Sequence, residues 1–268
     1  MRNCFIFLLM ILIFNFPAKA ELGLALAPMR VEINIPAGSQ HTDSLRLTND
    51  ADDSVRIRTE LLDWYMDESM TPQFADRYAQ EKNFSCRDWL EVNPREFDMP
   101  ATESFRVRYT IRVPAGTPDG EYHCGAGFVT LPPVNPDQPP MGVNIAVRAV
   151  AALYIIVGNP SSDPVLKDFS LRALPDGTWQ AVTRMENLGL RHFRTSGFLE
   201  IQNSDGQLVD RLEYPPIPVL PKRVQTFPIP LKTVLAPGTY ILRSQVDVGL
   251  PEVLEGSARL VVEPPAHN

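Results

Sequence analysis

Phe105-Arg106-Val107-Arg108-Tyr109-Thr110-Ile111-Arg112-Val113 decides the fold class of this chain. Apolar side chains fall on the odd positions and polar ones on the even positions. A period of two puts all five apolar residues on one face of a strand and leaves the other face wet. Helical periodicity is almost absent elsewhere, and the 26 prolines break the chain into short runs.

Outward from this strand, similar runs recur between turn formers. Leu24–Ile35 ends at Pro36-Ala37-Gly38, and Ser44–Thr48 closes at Asn49-Asp50. Val55–Trp64, Trp89–Val92, Ser104–Val113, Tyr122–Leu131 and Val143–Val157 follow. Seven strands in about 135 residues is the count of an immunoglobulin-like sandwich. Met66–Ser85 is polar and acidic and interrupts the rhythm; it reads as a long loop with one helical turn at Tyr78-Ala79-Gln80.

A second unit begins after Gly158-Asn159-Pro160-Ser161-Ser162-Asp163-Pro164. Its strands are expected at Leu166–Ala173, Trp179–Glu186, Arg194–Gln202, Leu208–Tyr214, Val224–Leu231, Tyr240–Val246 and Ala258–Val262. Pro175-Asp176-Gly177, Asn203-Ser204-Asp205-Gly206 and Ala236-Pro237-Gly238 supply turns between them. The expected fold is all-β: two tandem immunoglobulin-like β-sandwich domains after a cleaved signal peptide. Residues 1–20 are the expected signal peptide, 21–157 the first domain, 158–164 a linker and 165–263 the second domain.

The leader reading rests on Arg2, the apolar run Phe5–Phe16 and the small residues of Ala18-Lys19-Ala20. The run is shorter than the roughly 20 residues that span a bilayer, and no later segment is long and apolar enough to do so. An exported, periplasmic protein is expected, with the cell surface as the other destination. Without Arg2 and Lys19, 23 basic residues face 32 acidic ones, a net charge of −9. That balance repels nucleic acid and anionic lipid. Cys86 and Cys124 remain, and in an oxidising compartment they are expected to pair, two buried free thiols being the alternative.

No catalytic or metal pattern emerges. His41, His123, His192 and His267 are scattered without metal-ligand spacing. His123 adjoins Cys124, but neighbours on a strand point to opposite faces and cannot share a proton there. Glu32, Asp43, Asp63 and Asp119 form no paired motif, and Asp52-Asp53 reads as a turn. Gly125 and Gly127 lie within a strand and have no phosphate-cradling context. The expectation is a non-enzymatic protein without cofactor or metal.

From Leu22 to Val157 the chain resembles the periplasmic pilus-assembly chaperones with the PapD-like fold. Ala27-Pro28-Met29-Arg30 looks like that family's first strand, and Leu45-Arg46-Leu47-Thr48-Asn49 like its second. Val92-Asn93-Pro94-Arg95-Glu96-Phe97-Asp98-Met99-Pro100 is similar to its proline-flanked segment before a long strand. Phe128-Val129-Thr130-Leu131-Pro132-Pro133 looks like the end of its sixth strand. The resemblance implies that the last strand, beginning Val143-Asn144-Ile145-Ala146-Val147, lends its edge to a client lacking a strand of its own. Val143, Ile145 and Val147 then enter the client's groove, and Arg30 anchors its C-terminal carboxylate.

The family's second basic anchor falls at Ala152 here; Arg148, four residues earlier, is the substitute on offer. In the second unit, Asn187-Leu188-Gly189 with His192, Leu220-Pro221 and Leu235-Ala236-Pro237-Gly238-Thr239-Tyr240 look more like uncharacterised bacterial envelope domains. The expected partner is thus an exported β-rich client or pilus-type subunit, neither nucleic acid nor a membrane. The rival reading is a structural envelope or cell-surface module that binds through its loops.

Overall fold

The computed structural model describes residues 23–78, 82–131 and 146–263. The first unit runs β1 (Ala25–Ala27), β2 (Arg30–Asn34), β3 (Gln40–Thr48), β4 (Val55–Met66), β5 (Pro72–Ala75), β6 (Leu90–Asn93), β7 (Glu96–Met99), β8 (Ser104–Arg112), β9 (Gly120–Leu131) and β10 (Arg148–Val157). The second runs β11 (Pro164–Ala173), β12 (Trp179–Asn187), β13 (Phe193–Arg194), β14 (Ser196–Asn203), β15 (Leu208–Glu213), β16 (Pro218–Val219), β17 (Val224–Pro230), β18 (Gly238–Asp247) and β19 (Leu254–Val262). Its sheets are ordered β11-β12-β17 and β15-β14-β18-β19, with β13 paired to β16.

In the first unit one sheet has the order β1-β3-β8-β6, and the other β2-β10-β9-β4-β5 with β7 also on β4. The strand that opened the reading is β8. Val107, Tyr109 and Ile111 are buried while Arg106, Arg108 and Arg112 face water. Phe105 departs from the pattern: it is exposed at the strand's end and stacks on Phe97, ring centres 4.7 Å apart.

In the first unit three readings differ. Leu24–Ile35 is two strands, because Pro28 has no N–H to give a ladder and the chain changes sheets there. β1 pairs antiparallel with β3, and β2 pairs parallel with β10. Met66–Ser85 is not wholly a loop, since β5 folds back on β4 with Phe74 opposite Trp64. The helical turn at Tyr78-Ala79-Gln80 falls mostly outside the described residues. β7 was missed because it is only four residues long and sits between Pro94 and Pro100.

Each unit has its own apolar core, one around Leu45, Ile57, Val107, Phe128 and Leu153, the other around Met185, Leu199, Phe227 and Leu242. Cys86 and Cys124 are fully buried in the first and form a disulfide. Gly125 and Gly127 do packing work on β9. A Cβ at Gly127 would sit 2.9 Å from Leu62, and one at Gly125 3.1 Å from Val150.

Buried Asn187 ties the connecting segment to the second unit. Its Nδ2 donates to the carbonyls of Arg191 and Val219. Its Oδ1 accepts from the N–H groups of Asp163 and Gly189. Alanine there would remove the partner of four backbone groups, two of them in buried bonds, so Asn187→Ala is expected to cost about 2 kcal/mol, measured by urea unfolding. A loss below about 0.5 kcal/mol would mean that water replaces these bonds.

Candidate partner-binding edge and domain junction

β10 is flanked on one side by β9 over its whole length, from Arg148 opposite Val129 to Val157 opposite Gly120. On its other side β2 begins only at Arg30, opposite Ala152. Among the described residues, no strand covers that side of Arg148–Ala151. The Ala152 N–H donates to Met29 on this side at 2.9 Å. Amide direction alternates along a strand, so the N–H groups of Arg148 and Val150 point the same way, outward.

The side chains alternate too. Ala151, Leu153, Ile155 and Val157 face the core, with Val147 and Ala149 packed against its margin. Val147 is therefore partly covered by its own sandwich, and its carbonyl accepts from Thr130 on β9 at 2.9 Å. Val143 and Ile145 lie outside the described residues.

Arg30 is half exposed and forms an ion pair with Glu32 at 3.5 Å. Its cross-strand neighbour is Ala152, the position where a second cation was missed in the sequence. Arg148 does not fill that place. Four residues of strand set it about 13 Å away, and it pairs instead with Glu60 at 3.3 Å.

The opposite face of the same sheet meets the second unit. Trp64, Tyr154 and Leu220 form a small buried cluster, with Met66, Phe74 and Ala152 packed on it. Arg194 of β13 donates to the Tyr154 hydroxyl at 3.0 Å and lies over its ring. Burial pushes that hydroxyl up to about 12, against the lowering effect of Arg194.

Beside this cluster lies a group that sequence reading did not find. Glu121 is fully buried, and its two oxygens meet His123 Nε2 at 2.8 Å and His192 Nδ1 at 2.7 Å. Its N–H also donates to the Leu190 carbonyl at 2.9 Å. Burial alone would raise the carboxyl; the hydrogen bonds from His123 and His192 overcome this and hold it at about 2. The side chains come from residues 71 positions apart, so no local spacing announces them. The only sequence signal was alternation: His123 must face away from core Cys124, and it does.

Among the described residues no group of His, Cys, Asp and Glu is placed to hold a metal ion, and no helix is long and apolar enough to cross a membrane. Among the described residues, the first unit presents unpaired main chain along Arg148–Ala151 with Arg30 beside its end.

No family model matches the sequence, and no curated protein matches it. Solved structures do. The class 5 fimbriae chaperone CfaA is 13% identical, with 91% of this chain and 100% of that chain covered and a TM-score of 0.46. The YadV chaperone is 13% identical over 89% of this chain and 100% of its own, with a TM-score of 0.48. A CsuC–CsuE chaperone–tip adhesion subunit complex from Acinetobacter baumannii gives 15% identity, 87% and 97% coverage and a TM-score of 0.46.

Proposed function

We propose that this protein is a periplasmic chaperone-like binding protein that caps exported β-rich subunits of the pilus type through the free edge of β10. The observation that carries the reading is the uncovered side of Arg148–Ala151, next to a strand whose other side is fully laddered. Edge main chain is a template for pairing with another strand, and β-augmentation draws affinity from those backbone bonds. In this reading Val143 and Ile145, with the part of Val147 that its own sandwich leaves uncovered, offer apolar side chains at every second position, and Arg30 stands where the guest's end arrives. The division at 158–164 belongs to the same proposal, the first sandwich carrying the edge and the second closing the cleft. No catalytic step is part of the reading.

The edge is tested with an N-acetylated octapeptide of alternating valine and serine, titrated into the mature protein by calorimetry. Arg148→Pro deletes one outward N–H without touching the bonds to β9, so binding should weaken about tenfold. Arg148→Ala removes the side chain but keeps the amide, and should bind within about twofold of wild type. Equal binding by the proline variant, or no binding by the wild type, would sink the reading.

A further inference from the structure

The hairpin of β4 and β5 reaches from the first sandwich to the second. At its tip the Asp67 N–H donates to the Thr71 carbonyl, and the Met70 N–H donates to the Asp67 carbonyl, both at 3.1 Å. The Asp67 carboxylate fastens the same turn. Oδ1 accepts from the N–H groups of Ser69 and Thr71 and from the Ser69 hydroxyl, and Oδ2 from the Gln73 amide. All these bonds are local, so the shape of the tip does not depend on the second unit.

Glu68 and Ser69 face water, but Met70 does not follow them. It packs against the apolar core of the second sandwich, around Met185, Leu199, Phe227 and Leu242. There it takes a φ of +63°, a left-handed conformation that side chains seldom adopt. Glycine would fit the turn with less strain and would lose the contact, so methionine serves the contact and not the turn. From the other side Gln225 of β17, only 4% exposed, donates from Nε2 to the Asp67 carbonyl at 2.8 Å. The stem of the hairpin is rooted at the same junction: Trp64, Met66 and Phe74 belong to the cluster around Tyr154 and Leu220.

We propose that the β4–β5 hairpin is a strap that locks the second sandwich to the first, with Met70 and Gln225 as its two fastenings. Each sandwich has its own core, and units joined by a short connection move and unfold separately by default. The strap removes that freedom. The second unit cannot turn away without drawing Met70 off an apolar surface and taking the inter-unit acceptor from a buried amide. β4 shares its sheet with β9 and β10, so the lock also fixes the second sandwich relative to the β10 edge. It requires no guest and stands or falls independently of the edge reading.

The experiment is amide hydrogen exchange followed by NMR. Its reporter is the Glu121 N–H, which crosses the junction to the Leu190 carbonyl and involves neither fastening. Met70→Ser should speed exchange of this amide about tenfold, while amides of β8 in the first core and β14 in the second keep their wild-type rates. Met70→Leu keeps an apolar side chain at the tip and should stay within about twofold of wild type. Gln225→Met keeps the buried volume without the donor and should speed the same amide from the opposite unit. Calorimetry gives a second reading: one melting transition in wild type and two, separated by about 5 °C, in Met70→Ser. Unchanged Glu121 exchange in Met70→Ser overturns the inference, and so does a wild type that already melts in two steps. Acceleration shared equally by β8 or β14 also overturns it, because Met70 would then stabilise one sandwich and link nothing.

Discussion

Replacing Cys86 and Cys124 together with alanine is expected to remove about 4 kcal/mol of stability from the first unit. The two residues are 38 positions apart, so the bond closes a long loop that includes β6, β7, β8 and the start of β9. Restricting that loop in the unfolded chain is the main source of stabilisation, and both sulfurs are fully buried, so truncation also opens space in the core. Melting under oxidising conditions should fall by on the order of 10–20 °C for the double variant. Wild type with dithiothreitol should approach the same value. A fall of less than about 3 °C would mean that the unfolded chain is already held compact in this region.

The second large effect is expected at Glu121. Its carboxyl is held at about 2 against an ordinary 4.5. A carboxyl depressed by folding stabilises fully above its unfolded value and loses that contribution as pH falls through the folded value. The contribution should therefore be complete above about pH 4.5 and mostly gone near pH 2. Its size is about 3 kcal/mol. The groups facing it are His123 on β9, His192 from the second unit, and Glu32 and Tyr154 around them. Glu121→Gln should flatten the acid limb of unfolding free energy measured by urea between about pH 5 and pH 2. Variant and wild type running parallel through that window would show that the carboxylate is not the group responsible.

The strand grammar was legible because most strands here have one wet face. β8 alternates and was found almost to the residue. β10 reads as a continuous apolar run from Ala149 because its two faces are covered by different things, the core on one and the second unit on the other. The Cys86–Cys124 bond followed from compartment and count. What escaped were features set by partners distant in sequence. β5 lies in a polar segment and forms only because Phe74 packs against Trp64. The Glu121 group joins two units, and Arg194 gains its meaning from Tyr154, forty residues earlier. The partner of Arg148 is equally non-local: Glu60, on the strand beyond β9, pairs with it.

The late start of β2 acts as a ruler. Its first rung lies opposite Ala152, so a visiting strand cannot advance past that point without evicting the protein's own N-terminal segment. At roughly 3.3 Å per residue, the stretch Arg148–Ala151 that no strand among the described residues covers measures only about 13 Å. A visitor longer than this must overhang in the direction of Ala146, away from the second sandwich. Under the proposed edge pairing, the leading tip of a guest strand would come to rest against the Arg30 backbone, so the length of one short strand would fix the address of that tip.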